Sequence, residues 1–591
     1  MGKIEVMSEN LANKIAAGEV VEKCMNVVKE LVENSIDAKA TQIKINLVDS
    51  GVKEITIIDD GIGMDKEDAI LAFSRHATSK VKNLEDLFYV SSLGFRGEAL
   101  PSIAAVSLVD LKTSNGEVGT EVIIDGGEIK EVKQADLKKG TRITVKNLFY
   151  NTPVRLKYLK NLHIELANTS EYINKMALSF PNVKFTLTNN EKVIFNSDGS
   201  GNLLKVIGNV YGMDLTKKMI PIENSNDDYD INGYICYPDI CRSSKNNINI
   251  LVNGRVIKNT EINKIIMEAY FNHMHEGKYP IVVLNINVDP ILIDVNVHPT
   301  KMDIKFSKMD TLKELILTTI SSKLNSLSLI PQIEVKEEKE EYNYIEEQQK
   351  ESEALTLDLN DYEVNDTKEI YTKPVLKEEE KETNEIKEEK IIDDQEIRLK
   401  QMRPIGAIHA TFIVAENEDG MYLIDQHAAA ERINYEIYLE KLSSNDNKKI
   451  DLLVPIKIEL TSKEFIIIKE NFELLNSLGF DVEEFGINTI VIRSHPYWLD
   501  FKYAEDSIRK IIEIIISTES FDKEKFIDRV AASVACKASI KANQVISIEE
   551  MQDLLNRLRY TKNPFNCAHG RPTIISYSSY ELDKMFKRIL D

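Results

Sequence analysis

Lys29-Glu30-Leu31-Val32-Glu33-Asn34-Ser35-Ile36-Asp37-Ala38 is the stretch whose reading decides how this chain folds. From Glu19 to Asp37, the residues Val20, Val27, Val28, Leu31 and Ser35 fall near one helical face, which predicts an amphipathic helix. Glu30 and Asn34 are four apart and project together from that helix. A carboxylate beside an amide suits activation of a water next to a magnesium ion. Two alternating runs follow, Ile43–Leu47 and Glu54–Ile57, around a turn at Asp49-Ser50-Gly51, and predict antiparallel strands.

Further polar segments lie downstream in a fixed order. Asp59-Asp60-Gly61-Ile62-Gly63 follows a strand, and its glycines let the backbone turn tightly and approach a ligand. Arg75-His76-Ala77-Thr78-Ser79-Lys80 supplies hydroxyls and a cation. Gly94-Phe95-Arg96-Gly97-Glu98-Ala99-Leu100 is a second glycine loop of the phosphate-cradling sort. Each piece alone reads as an ordinary turn; the order and spacing are what carry information. No Walker A sequence is present, so the chain is not a P-loop enzyme.

Strands are expected again at Gly119–Ile124, Thr141–Val145, Ile248–Val252 and Ile281–Val288. Asp294-Val295-Asn296-Val297-His298-Pro299-Thr300-Lys301 ends a strand with a turn. The composition then changes. Residues 334–396 hold 24 acidic and 9 basic side chains, no glycine and one proline, Pro374. Their net charge is −15, which leaves only −7 of the overall −22 for the rest of the chain. Apolar residues there are sparse and aperiodic, so a disordered linker is expected, with a long solvated helix as the alternative. A flexible chain of that length spans roughly 45 Å. The acidic total therefore does not exclude a local basic surface for nucleic acid.

Beyond the linker stands Asp425-Gln426-His427-Ala428-Ala429-Ala430-Glu431-Arg432-Ile433-Asn434-Tyr435-Glu436. On a helix His427 and Glu431 share a face, and an imidazole with a carboxylate is half of a zinc or manganese site. Further donors lie downstream, Cys536 in Ala535-Cys536-Lys537 and the pair in Cys567-Ala568-His569-Gly570-Arg571-Pro572. Helical runs are expected around Phe465–Leu475 and Glu549–Leu558. His163, His273, His275, His409 and His495 lie in no comparable pattern.

The 591 residues exceed one core and suggest three or four domains. Cys24, Cys236, Cys241, Cys536 and Cys567 are scattered, which suits a reducing cytoplasm rather than a disulfide framework. No apolar run approaches the ~20 residues of a membrane span, and the first residues lack the apolar core of a signal peptide.

Taken together, Lys29–Ala38, Asp59–Gly63, His76–Lys80 and Gly94–Leu100 resemble the GHKL ATPase superfamily, shared by DNA gyrase B, a chaperone family and histidine kinases. Within it they look like the MutL family of mismatch-repair proteins. Asp425–Glu436 fits that family's nuclease signature D-Q-H-A-x2-E-x4-E at every fixed position. Cys567–Pro572 matches C-x-H-G-R-P, and Ala535–Lys537 matches A-C-[R/K]. Gly140-Thr141 and Asn147–Arg155 fit the family's junction to a second domain. Lys23-Cys24-Met25 departs from the usual Arg-Pro at the helix entry, away from the site residues.

The resemblance implies an α+β multidomain protein. Residues 1–205 would be a GHKL ATPase sandwich, 206–332 a ribosomal-protein-like transducer domain, 333–398 the acidic flexible linker, and 399–591 a dimerisation and endonuclease domain. Glu30 would be the general base and Asn34 the magnesium ligand. Asp59 would accept the adenine amino group beside Gly61 and Gly63. Thr78, Ser79 and Lys80 would belong to a lid over the phosphates, with Gly94, Arg96, Gly97 and Glu98 as the second loop. Lys301 would reach the γ-phosphate. In the C-terminal part His427, Glu431, Cys567 and His569, with Asp425 and Cys536, would hold zinc or manganese; Asp425 and Glu431 would be catalytic. Arg571 would steady a phosphate or orient Glu431; Glu436, five beyond Glu431, points off the shared face, which suits a structural role. The implied activities are ATP hydrolysis and metal-dependent DNA nicking by a cytoplasmic, nucleoid-associated homodimer that works with DNA and the mismatch-recognition protein MutS.

Two rival functions are an ATP-driven matchmaker with a purely structural metal, and another GHKL machine such as a topoisomerase or chaperone. The metal run fits neither well. A DNA-binding surface is expected to include Arg255 in Val252-Asn253-Gly254-Arg255 and lysines of the N-terminal half. Ile450-Asp451-Leu452-Leu453-Val454-Pro455 corresponds to the family's sliding-clamp segment, with isoleucine where glutamine is expected. Alternatively, Leu452–Pro455 is a buried strand end.

Overall fold

The computed structural model describes residues 20–80, 93–94, 97–159, 161–242, 245–271, 273–274, 278–294, 304–326, 398–443, 448–499, 501–517, 523–539 and 544–589. Arg96, Lys301 and the acidic stretch 334–396 lie outside the described residues, and so do the expectations placed on them.

The first helix, α1 (Cys24–Asp37), buries Val27, Val28, Leu31, Val32 and Ser35 and leaves Glu30 and Asn34 half-buried on its other side. Its apolar stripe lies on an eight-stranded sheet. The strands are β1 (Gln42–Val48), β2 (Glu54–Asp59), β3 (Leu108–Ser114), β4 (Gly119–Asp125), β5 (Glu128–Ala135), β6 (Gly140–Lys146), β7 (Lys184–Asn189) and β8 (Lys192–Asn196). Their order is β5-β4-β3-β6-β2-β1-β7-β8. Strands β1 and β2 pair antiparallel with Ile45 opposite Ile57, around a turn in which Asp49, Ser50 and Gly51 all take positive φ. Strand β7 joins β1 in parallel and is reached through the long helix α2 (Leu162–Ser179). Ile43, Ile45, Ile55, Ile57, Leu111 and Ile143 alternate inward and form one core with Val28 and Leu31.

A second sheet has five strands: β9 (Met219–Ser225), β10 (Tyr229–Cys236), β11 (Ile248–Val252), β12 (Arg255–Ile257) and β13 (Val282–Val288), in the order β12-β11-β13-β10-β9. Helices α3 (Thr260–Tyr270) and α4 (Met309–Asn325) close a core with it around Ile250, Ile266, Leu284 and Ile316. Strands β11 and β13 are parallel, so their buried residues run almost without alternation.

After the acidic stretch, β14 (Arg403–Ile408), β15 (Phe412–Asn417) and β16 (Gly420–Asp425) form an antiparallel meander. Strand β16 also pairs with a late strand at Ile574–Ser578. Helix α5 (Gln426–Ser443) starts directly at the end of β16. A separate three-stranded sheet pairs Lys449–Glu459 and Asp481–Glu484 with Thr489–Pro496. It is covered by α6 (Phe501–Ser517) and α7 (Lys523–Ala538) around Phe480, Ile490, Ile511 and Val530. Helix α8 (Ile548–Arg559) packs Leu554, Leu555 and Leu558 against Ala429, Ala430 and Ile433 of α5. The alanines of α5 remove side-chain bulk, so α7 and α8 both lie close to its first turns. Among the described residues no helix is long and apolar enough to cross a membrane.

Candidate nucleotide and metal sites

Polar groups at the exposed side of α1 meet Lys80 and the start of the second glycine loop. Lys80 Nζ lies 2.5 Å from Asp37 Oδ2 and 3.1 Å from Asn34 Oδ1. The backbone amides of Leu93 and Gly94 donate to the same Asp37 carboxylate at 3.0 and 3.1 Å. Asp37 is thus the hub that draws Lys80 and the Leu93–Gly94 backbone to the helix. It received no role in the sequence reading, although it stands within the decisive stretch. Lys80 N–H donates to Thr78 Oγ1 at 3.2 Å, while Ser79 is exposed. His76 and Glu98 approach at 3.7 Å, tying the two segments at a second point.

Asp59 ends β2 beneath α1. It accepts from Ser35 Oγ at 2.8 Å and from Gly61 N–H at 3.0 Å. Burial raises its pKa, and these hydrogen bonds offset part of the rise. A half-buried acceptor carboxylate beside two glycines suits a ligand amino group. Two glycines are sterically required here. A Cβ on Gly63 (φ +68°) would fall 1.9 Å from Ser114 O, and one on Gly97 (φ +63°) 2.5 Å from Ala77 O. The second requirement shows how closely the Gly94–Leu100 loop passes the His76–Lys80 segment.

The metal donors converge on Glu431, which is 4% exposed. His427 Nε2 lies 3.5 Å from Glu431 Oε1 on one side, and His569 Nδ1 lies 3.4 Å from Oε2 on the other. Two groups of ligand atoms result, each with all atoms within 4.8 Å: His427, Glu431 and Cys536, and Glu431, Cys567 and His569. Three separate segments supply them: α5, α7 and the loop after α8. Burial pushes Glu431 upward. Hydrogen bonds from Cys536 and Cys567, with the charges of His569 and His427, outweigh it and lower the pKa. Two thiols, two imidazoles and a shared buried carboxylate are donor types that fit zinc, and a carboxylate whose two oxygens each face a donor group fits adjacent ions.

Asp425 stands apart from both groups. Its Oδ1 accepts from the amides of His427 and Ala428 at 2.9 and 3.0 Å, which makes it the cap of α5. Gln426 is fully buried and donates to Ala410 O at 2.6 Å and Gln544 O at 2.9 Å, pinning the start of the same helix. Arg571 is exposed; its carbonyl accepts from Cys567 N–H at 2.8 Å and closes the turn that carries Cys567 and His569.

Residues 22–150 match the histidine kinase-, DNA gyrase B- and HSP90-like ATPase family, residues 207–325 the DNA mismatch repair protein C-terminal domain, and residues 405–546 the MutL C terminal dimerisation domain. The DNA mismatch repair protein MutL of Listeria innocua is 44% identical over 596 residues, 99% of each chain. That of Anoxybacillus flavithermus is 42% identical over 609 residues, all of both chains. The chain belongs to the MutL family of DNA mismatch repair proteins. A solved N terminal domain of a DNA repair protein also aligns, at 28% identity and a TM-score of 0.47, over 53% of this chain and 98% of its own. In this MutL family member the first sheet and its helices therefore form an ATP-binding ATPase domain of GHKL type.

Two sequence expectations change. Arg255 is only 8% exposed, at the start of β12. Burial lowers its pKa, and the carboxylates of Glu33 and Asp37 on α1 act against that shift. It faces Glu33 and Asp37 on the ATPase helix rather than solvent. The segment Leu452–Pro455 is not a buried strand end. The register of Lys449–Glu459 jumps from Asp451 to Ile456, so these four residues bulge out of the ladder. Leu453 is 103% and Val454 78% exposed.

Proposed function

We propose that this MutL family member couples ATP hydrolysis to a conformational cycle on DNA and nicks one DNA strand at the Glu431 centre. The observation that carries the nicking proposal is the placement of Glu431, a buried carboxylate between two His/Cys groups drawn from three segments. In the ATPase domain Glu30 activates water, Asn34 holds magnesium, and Asp59 accepts the adenine amino group. Thr78, Ser79, Lys80, Gly94, Arg96, Gly97 and Glu98 enclose the phosphates, and Lys301 senses the γ-phosphate. His427, Glu431, Cys536, Cys567 and His569 hold zinc or manganese, with Asp425 orienting the first turn of α5 or completing a second ion. When bound, such an ion lowers the pKa of a coordinated water and neutralises phosphate charge. The partners are DNA, MutS, a second copy of the chain and, through Leu453 and Val454, a sliding clamp; the setting is the cytoplasm and its nucleoid. The domain limits proposed above, 1–205, 206–332, 333–398 and 399–591, frame this division of labour.

The test is direct. Purified protein is incubated with supercoiled plasmid and manganese, with and without EDTA. Open circles that depend on the metal and vanish in Glu431→Ala support nicking. Intact plasmid together with tightly held zinc would instead favour a matchmaker with a structural metal.

A further inference from the structure

Helix α5 carries a second charged pair beside the first. Arg432 and Glu436 are four apart, each displaced from Glu431 so that they leave its face, and their side chains are 11% and 18% exposed. Neither reaches the metal donors. Both grip the segment that delivers two of them. Glu436 Oε2 accepts from Lys562 N–H at 2.8 Å, and Oε1 from Asn563 N–H at 3.3 Å. Arg432 Nε donates to Asn566 O at 2.6 Å; its Nη1 lies 3.6 Å from Glu436 Oε1, and its guanidinium rests 5.2 Å from the Tyr435 ring centre.

The gripped segment has its own internal order. Asn566 pairs with Pro572, Cys567 N–H donates to Arg571 O, and Gly570 N–H donates to Cys567 O at 3.0 Å. Thr573 N–H donates to Phe565 O at 3.0 Å, and Thr573 O accepts from Asp425 N–H, also at 3.0 Å. Residues 562–573 are therefore a narrow loop with Cys567 and His569 at its tip. Glu436 holds the root, Arg432 holds the neck, and Glu431 of the same helix meets the tip. A carboxylate that accepts two adjacent amides fixes backbone register more firmly than a neutral acceptor does. This one stands just past the C-terminal end of α8, where the helix dipole disfavours negative charge, so local helix stability does not account for it.

We propose that Glu436, together with Arg432, is a positioning residue of the metal centre. The pair sets residues 562–566 in register on α5, so that the Cys567 thiol and the His569 imidazole arrive at Glu431. The proposal rests on the reading of His427, Glu431, Cys536, Cys567 and His569 as ligands. It gives a physical role to the final glutamate of the Asp425–Glu436 run.

The experiment uses the full-length protein and measures zinc affinity by competition with a chromophoric chelator. Cobalt substitution follows, and its thiolate charge-transfer absorption reports coordination by cysteine. Glu436→Gln keeps one acceptor oxygen and turns the other into a donor that repels an amide. Arg432→Lys keeps the charge and loses the Nε contact with Asn566. Both are expected to lower zinc affinity about 10–100-fold, the usual effect of losing a ligand's supporting partner. The cobalt–thiolate absorption should weaken in parallel, while kcat and KM for ATP stay at wild-type values. Glu431→Ala, which removes a ligand, serves as the reference. If Glu431→Ala binds zinc like wild type, the ligand reading itself fails. If Glu431→Ala loses zinc but Glu436→Gln and Arg432→Lys bind it like wild type, the positioning role is overturned. Should Glu436→Gln fail to fold, Arg432→Lys decides alone, since it leaves the carboxylate and both its amide contacts in place.

Discussion

Glu30 and Asp37 lie two turns apart on α1 and do different work. Asp37 is committed to Lys80 and two loop amides, whereas Glu30 is assigned to water. Glu30→Ala is therefore expected to bind ATP with near wild-type affinity and to turn over ~10²–10⁴-fold more slowly, the usual loss for a general base. Equilibrium binding and steady-state turnover measured on the same preparation check this; loss of binding along with turnover would refute the role. Asn34→Ala should weaken nucleotide binding itself, since it removes the proposed magnesium ligand and one partner of Lys80. At the other site Asp425→Asn separates two roles. Asparagine caps helices about as well as aspartate, so α5 keeps its start, while the neutral amide cannot act as a carboxylate ligand. Loss of nicking in Asp425→Asn and in His569→Ala, with ATP turnover retained, supports a metal role for both; wild-type nicking in both excludes it. The His427–Glu431 spacing was legible because helical periodicity fixes it. That Cys536 and Cys567 reach the same carboxylate was legible only through the family resemblance, since distance along the chain says nothing about which loops meet. The capping role of Asp425 went unread for a related reason: a cap and a ligand ask for the same side chain.

Elements with one clear period were readable in advance, as α1, β1 and β2 show. The helices Leu162–Ser179 and Phe501–Ser517 were not marked. Leu162–Ser179 is buried on much of its circumference, which blurs its stripe. Phe501–Ser517 has a strong stripe, with Ile508, Ile511, Ile512 and Ile515 inward, but it carries no motif that draws attention to it. Two predictions belong at this scale. In the four-stranded sheet Ile413, Ala415 and Ile424 face the helices and are fully buried. Phe412, Val414, Leu423 and Ile575 therefore share the opposite face, by alternation and register. Phe412 and Ile575 are exposed, and an open apolar sheet face suits a second copy of the chain. Ile575→Glu is expected to raise the dimer dissociation constant by about 30-fold or more, the scale of a hot-spot loss of ~2 kcal/mol. Sedimentation equilibrium measures it, and an unchanged constant rules this face out. The bulge at Leu452–Pro455 gives the other. Its outward Leu453 can enter an apolar groove without disturbing the ladder, so Leu453→Ala should abolish clamp-stimulated nicking and leave unstimulated nicking intact. Equal stimulation of both proteins would move the contact elsewhere.

At the scale of the whole molecule, charge has to be read by location. The net of −22 suggests a protein that avoids DNA, yet −15 of it falls within residues 334–396. The remainder is close enough to neutral for a basic surface to form on one of the folded parts. Arg255 is buried and within the field of Glu33 and Asp37, so it is expected to act on the ATPase helix rather than on that surface. DNA binding is nevertheless expected to be strongly salt-dependent. Each phosphate neutralised by lysine or arginine releases condensed counterions, and a surface making 6–10 such contacts loses ~10³–10⁵ in affinity between 50 and 200 mM salt. Fluorescence anisotropy with a labelled duplex across that range measures the slope. Arg255→Gln should leave the slope unchanged, since a side chain that touches no phosphate releases no ion, and should act instead on ATP turnover. An affinity that stays flat with salt contradicts phosphate-dominated binding. A shallower slope in Arg255→Gln would return that residue to the DNA surface despite its burial.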